Sequence, residues 1–105
     1  MNYRIDDIFS ALADSNRRNI LTMLSKGSKN VNSIAGEFKI SRPAVSKHLR
    51  ILEHSKLVVQ NKEGRERYFS LNPKPIKELF NWFKFYDKFW DDKLHLLKNY
   101  IESKK

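Results

Sequence analysis

The sequence predicts a mainly α-helical domain with one small β-hairpin, and three observations carry that prediction. Apolar residues recur at i, i+3 and i+4 in separate stretches between residues 5 and 52, the period of helices that bury one face. Two short runs rich in β-branched and aromatic residues, 57–61 and 67–71, flank a loop containing Gly64, as hairpin strands do. Beyond Pro73 and Pro75, residues 76–103 are apolar round most of a helix. At 105 residues the chain is expected to be one domain.

Taken in order, Ile5, Ile8, Phe9 and Leu12 define a first helix. Asp14 or Ser15 caps a second, from about Asn16 to Lys26, with Ile20, Leu21, Met23 and Leu24 facing inward and Gly27 as its C′ residue. Arg17 and Arg18 within it are expected to be solvated or ion-paired inside the chain. Asn32 is a plausible cap for a third helix ending near Phe38, in which Gly36 costs about 1 kcal/mol relative to Ala. The step Phe38-Lys39-Ile40-Ser41 then makes the tight turn of a helix-turn-helix.

The stretch from Ile40 to Leu52 carries the clearest local signals. The Ser41 hydroxyl can accept from an orphan N–H of the first turn, and Pro43 sits where a missing N–H costs little. Val45, Leu49 and Leu52 make one apolar stripe, leaving Arg42, Pro43, Ser46, Lys47 and Arg50 towards solvent. His48, at the edge of the stripe, is expected to pack with its ring satisfied. His54 ends the helix, where positive charge suits the dipole. The result is a helix anchored on one side and basic on the other, as DNA reading requires. In the hairpin that follows, Lys62, Arg65 and Arg67 flank the Gly64 loop.

The final segment is expected to be a single helix from Ile76 to Ser103. Phe83, Trp90, Leu94, Leu97 and Ile101 continue one apolar face, and Tyr86 is among the residues that broaden it. A helix this apolar needs cover on more than one side, and the same helix of a second subunit supplies it economically. Monomer core and a membrane-surface helix are poorer readings. Too little chain remains to cover the segment, and its polar stripe mixes acids with bases.

Charge points the same way. The chain holds 21 basic and 12 acidic residues, for a net charge of +9. Residues 39–72 alone carry 8 basic against 3 acidic, the clustering expected of a surface that faces phosphates. The absence of cysteine excludes disulfides, thiolate metal sites and thiol redox sensing. The first residues lack the apolar core of a signal peptide, and no uncharged run approaches a membrane span, so a cytoplasmic protein is expected. There is no nucleophile–base pair in a recognisable setting and no phosphate-cradling Gly loop, which argues against an enzyme.

Ser41 to Leu52 resembles the recognition helix of bacterial ArsR-type winged-helix repressors. Ala11-Leu12-Ala13-Asp14 with Arg17 and Ile20-Leu21 is similar to that family's opening, and Leu57-Val58, Gly64-Arg65 and Tyr68 to Leu71 are similar to its wing. The resemblance covers residues 8–72 and implies a winged helix-turn-helix. Residues 1–105 would form a single DNA-binding domain, with 8–72 as core and 73–105 as a long C-terminal dimerisation helix. It also implies that Arg42, Pro43, Ser46 and Lys47 approach base edges, with Arg42 able to pair bidentately with guanine. Lys47 and Arg50 can instead reach phosphate, and Lys62, Arg65 and Arg67 the backbone or minor groove. Partners are then double-stranded DNA and a second copy of the chain, with no membrane and no cofactor. The rival reading is a winged-helix module that binds protein instead of DNA.

The chain departs from the family's metal-sensing patterns. Val31 to Ala35 holds no thiol, and Asp87 is followed by Lys88-Phe89 where a histidine would be needed. Asp91, Asp92 and His95 share a helix face, but such a triplet is more often solvated than ligating. An effector is then a protein, a small molecule in an aromatic crevice, or protein concentration alone. The relatives often have Gly where this chain has Lys39, so a positive φ there carries a steric cost.

Overall fold

A computed structural model describes residues 4–103, the side chains of Lys88 and Trp90 excepted. Six helices and three short strands follow one another as α1 (Ile5–Leu12), α2 (Ser15–Leu24), β1 (Lys29–Asn30), α3 (Val31–Phe38), α4 (Arg42–His54), β2 (Val58–Glu63), β3 (Glu66–Leu71), α5 (Lys74–Lys84) and α6 (Asp87–Ser103). The core lies among α1–α4 and the sheet. Ile8, Ile20, Ile34, Val45, Leu49, Leu52 and Leu57 are fully or almost fully buried there, with Val58 and Phe69 closing it on the sheet side.

Caps set the helix boundaries. Asp14, not Ser15, begins α2; its carboxylate accepts from the Arg17 N–H at 3.2 Å, and this bond holds the Asp14 carboxyl below its ordinary range. Helix α2 stops at Leu24, two residues short of the expected end, and Gly27 takes φ 148° in the following loop. Helix α3 starts earlier than expected, because Asn30 and not Asn32 is the cap, accepting from the Ser33 N–H at 2.8 Å. Ser41 caps α4 as expected, accepting from the Ala44 N–H at 3.2 Å.

Two lysines close helices in the left-handed region. Lys39 (φ 57°, ψ 35°) ends α3 and forms the turn into α4, so the position does require a positive φ. Lys56 (φ 67°) follows α4. Its N–H donates to Glu53 O at 2.9 Å and the Leu57 N–H donates to Leu52 O at 3.0 Å, the paired bonds of a Schellman motif. Leu52 and Leu57, the apolar contact such a motif favours, are both fully buried.

The sheet has the order β1-β3-β2, antiparallel throughout. Strand β1 was not expected; at two residues it is too short to leave a period-2 pattern. Strands β2 and β3 run further than expected, pairing out to Glu63 opposite Glu66, so the loop is only Gly64-Arg65. Gly64 has φ 62° while Arg65 does not, the sign pattern of a II′ hairpin turn with Gly first.

The C-terminal segment is two helices, not one. At Trp82–Tyr86 the hydrogen bonds tighten: Phe85 N–H reaches both Asn81 O (3.3 Å) and Trp82 O (3.2 Å), and Tyr86 N–H reaches Phe83 O (2.9 Å). Four aromatic residues lie within these five positions, and aromatic side chains lose χ1 freedom in a helix. Here they stack edge to face, Trp82 on Phe83 at 5.1 Å, Trp82 on Tyr86 at 5.3 Å and Phe85 on Tyr86 at 5.2 Å between centroids. Helix α5 packs on α1 through Trp82 against Phe9, edge to face at 5.6 Å, and Leu79 abuts the core. Helix α6 has no such cover. Every side chain described in it is exposed.

Candidate nucleic-acid interface

Helix α4 is fixed to the body on three sides. Its stripe of Val45, Leu49 and Leu52 is buried. On one flank the Gln60 amide of β2 donates to the Glu53 carboxylate at 3.2 Å. On the other, Arg17 reaches across from α2 and brings a guanidinium N–H to within 3.4 Å of His48 Nδ1. Guanidinium has only donors, so in this contact Nδ1 is placed to accept. The His48 ring is half-buried and satisfied, as its place in the pattern predicts.

Arg18 stays exposed to solvent and Arg17 is half-buried; among the described residues neither forms an ion pair, and both cap the end of α1. Arg17 donates to Ala11 O at 2.7 Å and Ser10 O at 3.1 Å, and Arg18 to Leu12 O at 2.7 Å. Cations at a helix C-terminus meet the negative end of its dipole and satisfy carbonyls that have no partner within the helix.

The residues expected to meet DNA separate by position. At about 100° per residue, Pro43 and Lys47 lie about 160° round the helix from Val45, facing directly away from the core. Arg42 lies only about 60° from Val45, on the flank shared with Ser46 and Glu53. The wing stands on that flank. Arg42, Arg65 and Arg67 line one cleft of about 270 Å³ together with Glu66, Asn30 and Asn32. Ser46, Arg50 and Arg67 line an adjoining groove of about 300 Å³ floored by Leu49 and Phe69. Ser41 is exposed, its hydroxyl already engaged as the cap. Lys62 pairs directly opposite Arg67 across the hairpin.

Among the described residues, no hydrogen bond or ion pair engages the side chain of Arg42, Lys47, Arg50, Lys62, Arg65 or Arg67. The acid in the cleft forms no ion pair with them. Glu66 accepts from the Asn30 amide at 2.9 Å and the Tyr68 hydroxyl at 3.1 Å, and this contact with a carboxylate raises the Tyr68 pKa above its usual range. Asn30 and Glu66 were not singled out in the sequence, and Tyr68 was noted only as part of the wing strand. The only local signal was an Asn three residues before Ser33, a spacing at which Asn caps a helix.

The remaining candidate residues lie elsewhere. Phe83, Tyr86, Leu94, Leu97 and Ile101 are all solvent-exposed, while the side chain of Trp90 lies outside the described residues. No group of three or more His, Cys, Asp or Glu among the described residues could hold a metal ion, and Asp91, Asp92 and His95 are solvated on α6. No helix among the described residues is long and apolar enough to cross a membrane.

Known proteins with this arrangement are DNA-binding regulators. Residues 14–59 match the profile of bacterial regulatory proteins of the arsR family. The transcriptional repressor SdpR of Bacillus subtilis is 35% identical over 78 residues, 74% of this chain and 87% of that protein. The HTH-type transcriptional regulator Rv2034 of Mycobacterium tuberculosis is 35% identical over 98 residues, 93% of this chain and 89% of that one. Among solved structures, an ArsR-like transcriptional regulator from Rhodococcus sp. RHA1 superposes with a TM-score of 0.75 at 29% identity, covering 90% of each chain.

Proposed function

This chain belongs to the ArsR family of DNA-binding transcriptional regulators, and from that premise we propose that it is a homodimeric repressor of its own operon, acting in the cytoplasm. One observation carries the DNA contacts: six cationic side chains of α4 and the wing have no partner among the described residues, although the chain holds acids that could pair with them. Each subunit lays α4 in a major groove, with Pro43, Ser46 and Lys47 towards base edges. Arg50, Lys62, Arg65 and Arg67 bind phosphates, and half-sites lie about one helical turn (~34–36 Å) apart.

Dimerisation rests on α5 and α6. Phe83, Tyr86, Leu94, Leu97 and Ile101 expose apolar surface that nothing in the described chain covers. Contiguous apolar surface of that kind marks an interface, and a second copy of the same helices is the self-complementary solution.

The test is fluorescence anisotropy with two labelled duplexes at physiological salt, one from the DNA upstream of this protein's own gene and one scrambled. A preference of about 10³-fold is expected for autoregulation. Equal, salt-sensitive binding would keep the DNA surface and remove the autoregulatory reading. No binding to either duplex at low salt would overturn the DNA-binding role and favour a protein-binding module.

A further inference from the structure

We propose that Arg42, Arg65 and Arg67 form a clamp for a single DNA backbone phosphate, so that Arg42 positions the protein on DNA instead of reading a base. The proposal deepens the DNA-binding reading above and rests on it. Arg42 begins α4 on the wing side of the helix, and the three arginines line one cleft of about 270 Å³. Three guanidinium groups around one cleft repel each other, and among the described residues none has a partner.

The cleft also holds an acid whose hydrogen bonds run to other residues. Glu66 lies between Arg65 and Arg67 in sequence and lines the same cleft, but its Oε2 accepts from the Asn30 amide (2.9 Å) and the Tyr68 hydroxyl (3.1 Å), and it forms no ion pair with the three arginines. Asn30 in turn holds the start of α3 through the Ser33 N–H. Glu66 is thus a positioning residue: it ties β3 to the start of α3, fixing one wall of the cleft, and pairs directly with none of the three arginines. The matching ligand is a compact anion with several acceptor oxygens that can take forked N–H donors from more than one side. A phosphodiester fits that description, since guanidinium pairs with it bidentately. A base edge fits less well. Guanine offers acceptors in one plane from one side, and the residues facing directly out of α4 are Pro43 and Lys47.

The experiment is fluorescence anisotropy on a short labelled duplex of random sequence, over a series of salt concentrations. It compares the full-length protein with Arg42→Ala, Arg65→Ala and the double variant. The replaced side chains bond to nothing in the described chain and repel one another, so melting temperatures equal to or slightly above that of the unmodified protein are expected for all three. Each single variant should weaken random-sequence binding about tenfold and flatten the log K against log salt slope by about 1. Because both arginines share one phosphate, the double variant should be only about threefold weaker than either single. If Arg42→Ala leaves random-sequence affinity and slope unchanged, Arg42 reads a base and the clamp is wrong. Multiplicative losses in the double variant would also overturn it, placing the two arginines on separate phosphates. If the unmodified protein fails to bind the duplex, the DNA-binding reading itself fails, an outcome distinct from both.

Discussion

Leu94 and Leu97 of α6 allow the proposed dimer to be tested without disturbing the fold. Both are more than half exposed, and no described residue of α6 is buried. Replacing both with Ala therefore removes nothing from the monomer's core, and Ala is at least as good a helix former as Leu. Full burial of a leucine is worth about 1.5–3 kcal/mol. A side chain about half exposed in the monomer has about half of that, roughly 1 kcal/mol, still to gain on association. Two leucines in each of two symmetric subunits then contribute about 4 kcal/mol. The monomer–dimer Kd should rise roughly 10³-fold. Sedimentation velocity over a dilution series reads this directly, with far-UV circular dichroism confirming that the helices persist. An unchanged midpoint of association would mean that this face does not join the two copies, and the dimer reading would fall with it.

Other consequences concern the fold that carries the site. Lys56→Gly should stabilise the protein by about 0.5–1 kcal/mol, because relief of the left-handed strain outweighs the extra freedom of Gly in the unfolded chain. Thermal denaturation at fixed protein concentration reads it as a rise of several degrees. Arg17→Lys keeps the charge but cannot fork onto Ala11 O and Ser10 O; a loss of about 2 kcal/mol is expected, visible as a melting temperature lower by roughly 8–16 °C. The Asp14 carboxyl is held below its ordinary value by the Arg17 N–H. Its contribution is therefore complete above the unfolded pKa of about 3.9 and is lost as pH falls through the lower folded value. Asp14→Asn, which still caps, should remove that acid-side slope from a pH series of unfolding curves; an unchanged slope would refute the assignment.

Most of the fold could be read in the sequence where a cap and an apolar stripe coincide. Helix α4 is the best case, since Ser41, Pro43 and the Val45-Leu49-Leu52 stripe all specify the same thirteen residues. The cost at Lys39 was legible too, because a non-Gly residue stood where the turn needs a positive φ. Lys56 escaped notice because neither Gly nor Asn marks that C-cap. The break after Lys84 escaped notice because neither Gly nor Pro marks it and the apolar period runs straight through. In the interface, the cationic residues were visible individually. Their grouping was not, because the proximity of Arg42 to Arg65 depends on how the wing folds back, and the engagement of Glu66 depends on a two-residue strand. The wheel angle of Arg42, about 60° from Val45 at about 100° per residue, sets it apart from Pro43 and Lys47, a difference that grouping all five residues as solvent-facing passed over.

Beyond Gly64-Arg65, the hairpin sets Lys62 against Arg67 and Glu63 against Glu66. Like charges directly opposite one another destabilise a strand pair, so the outer wing of the free protein carries an internal repulsion. Whatever supplies negative charge beside the two cations relieves it, whether a polyanion or dissolved counter-ions. Added salt therefore acts on two properties in opposite senses. It loosens the grip on DNA, while in the unbound protein it slows the local opening of the wing that amide hydrogen exchange reports. The hairpin is most easily frayed in dilute buffer with no nucleic acid nearby, and docking on DNA should make it one of the better protected parts of the chain.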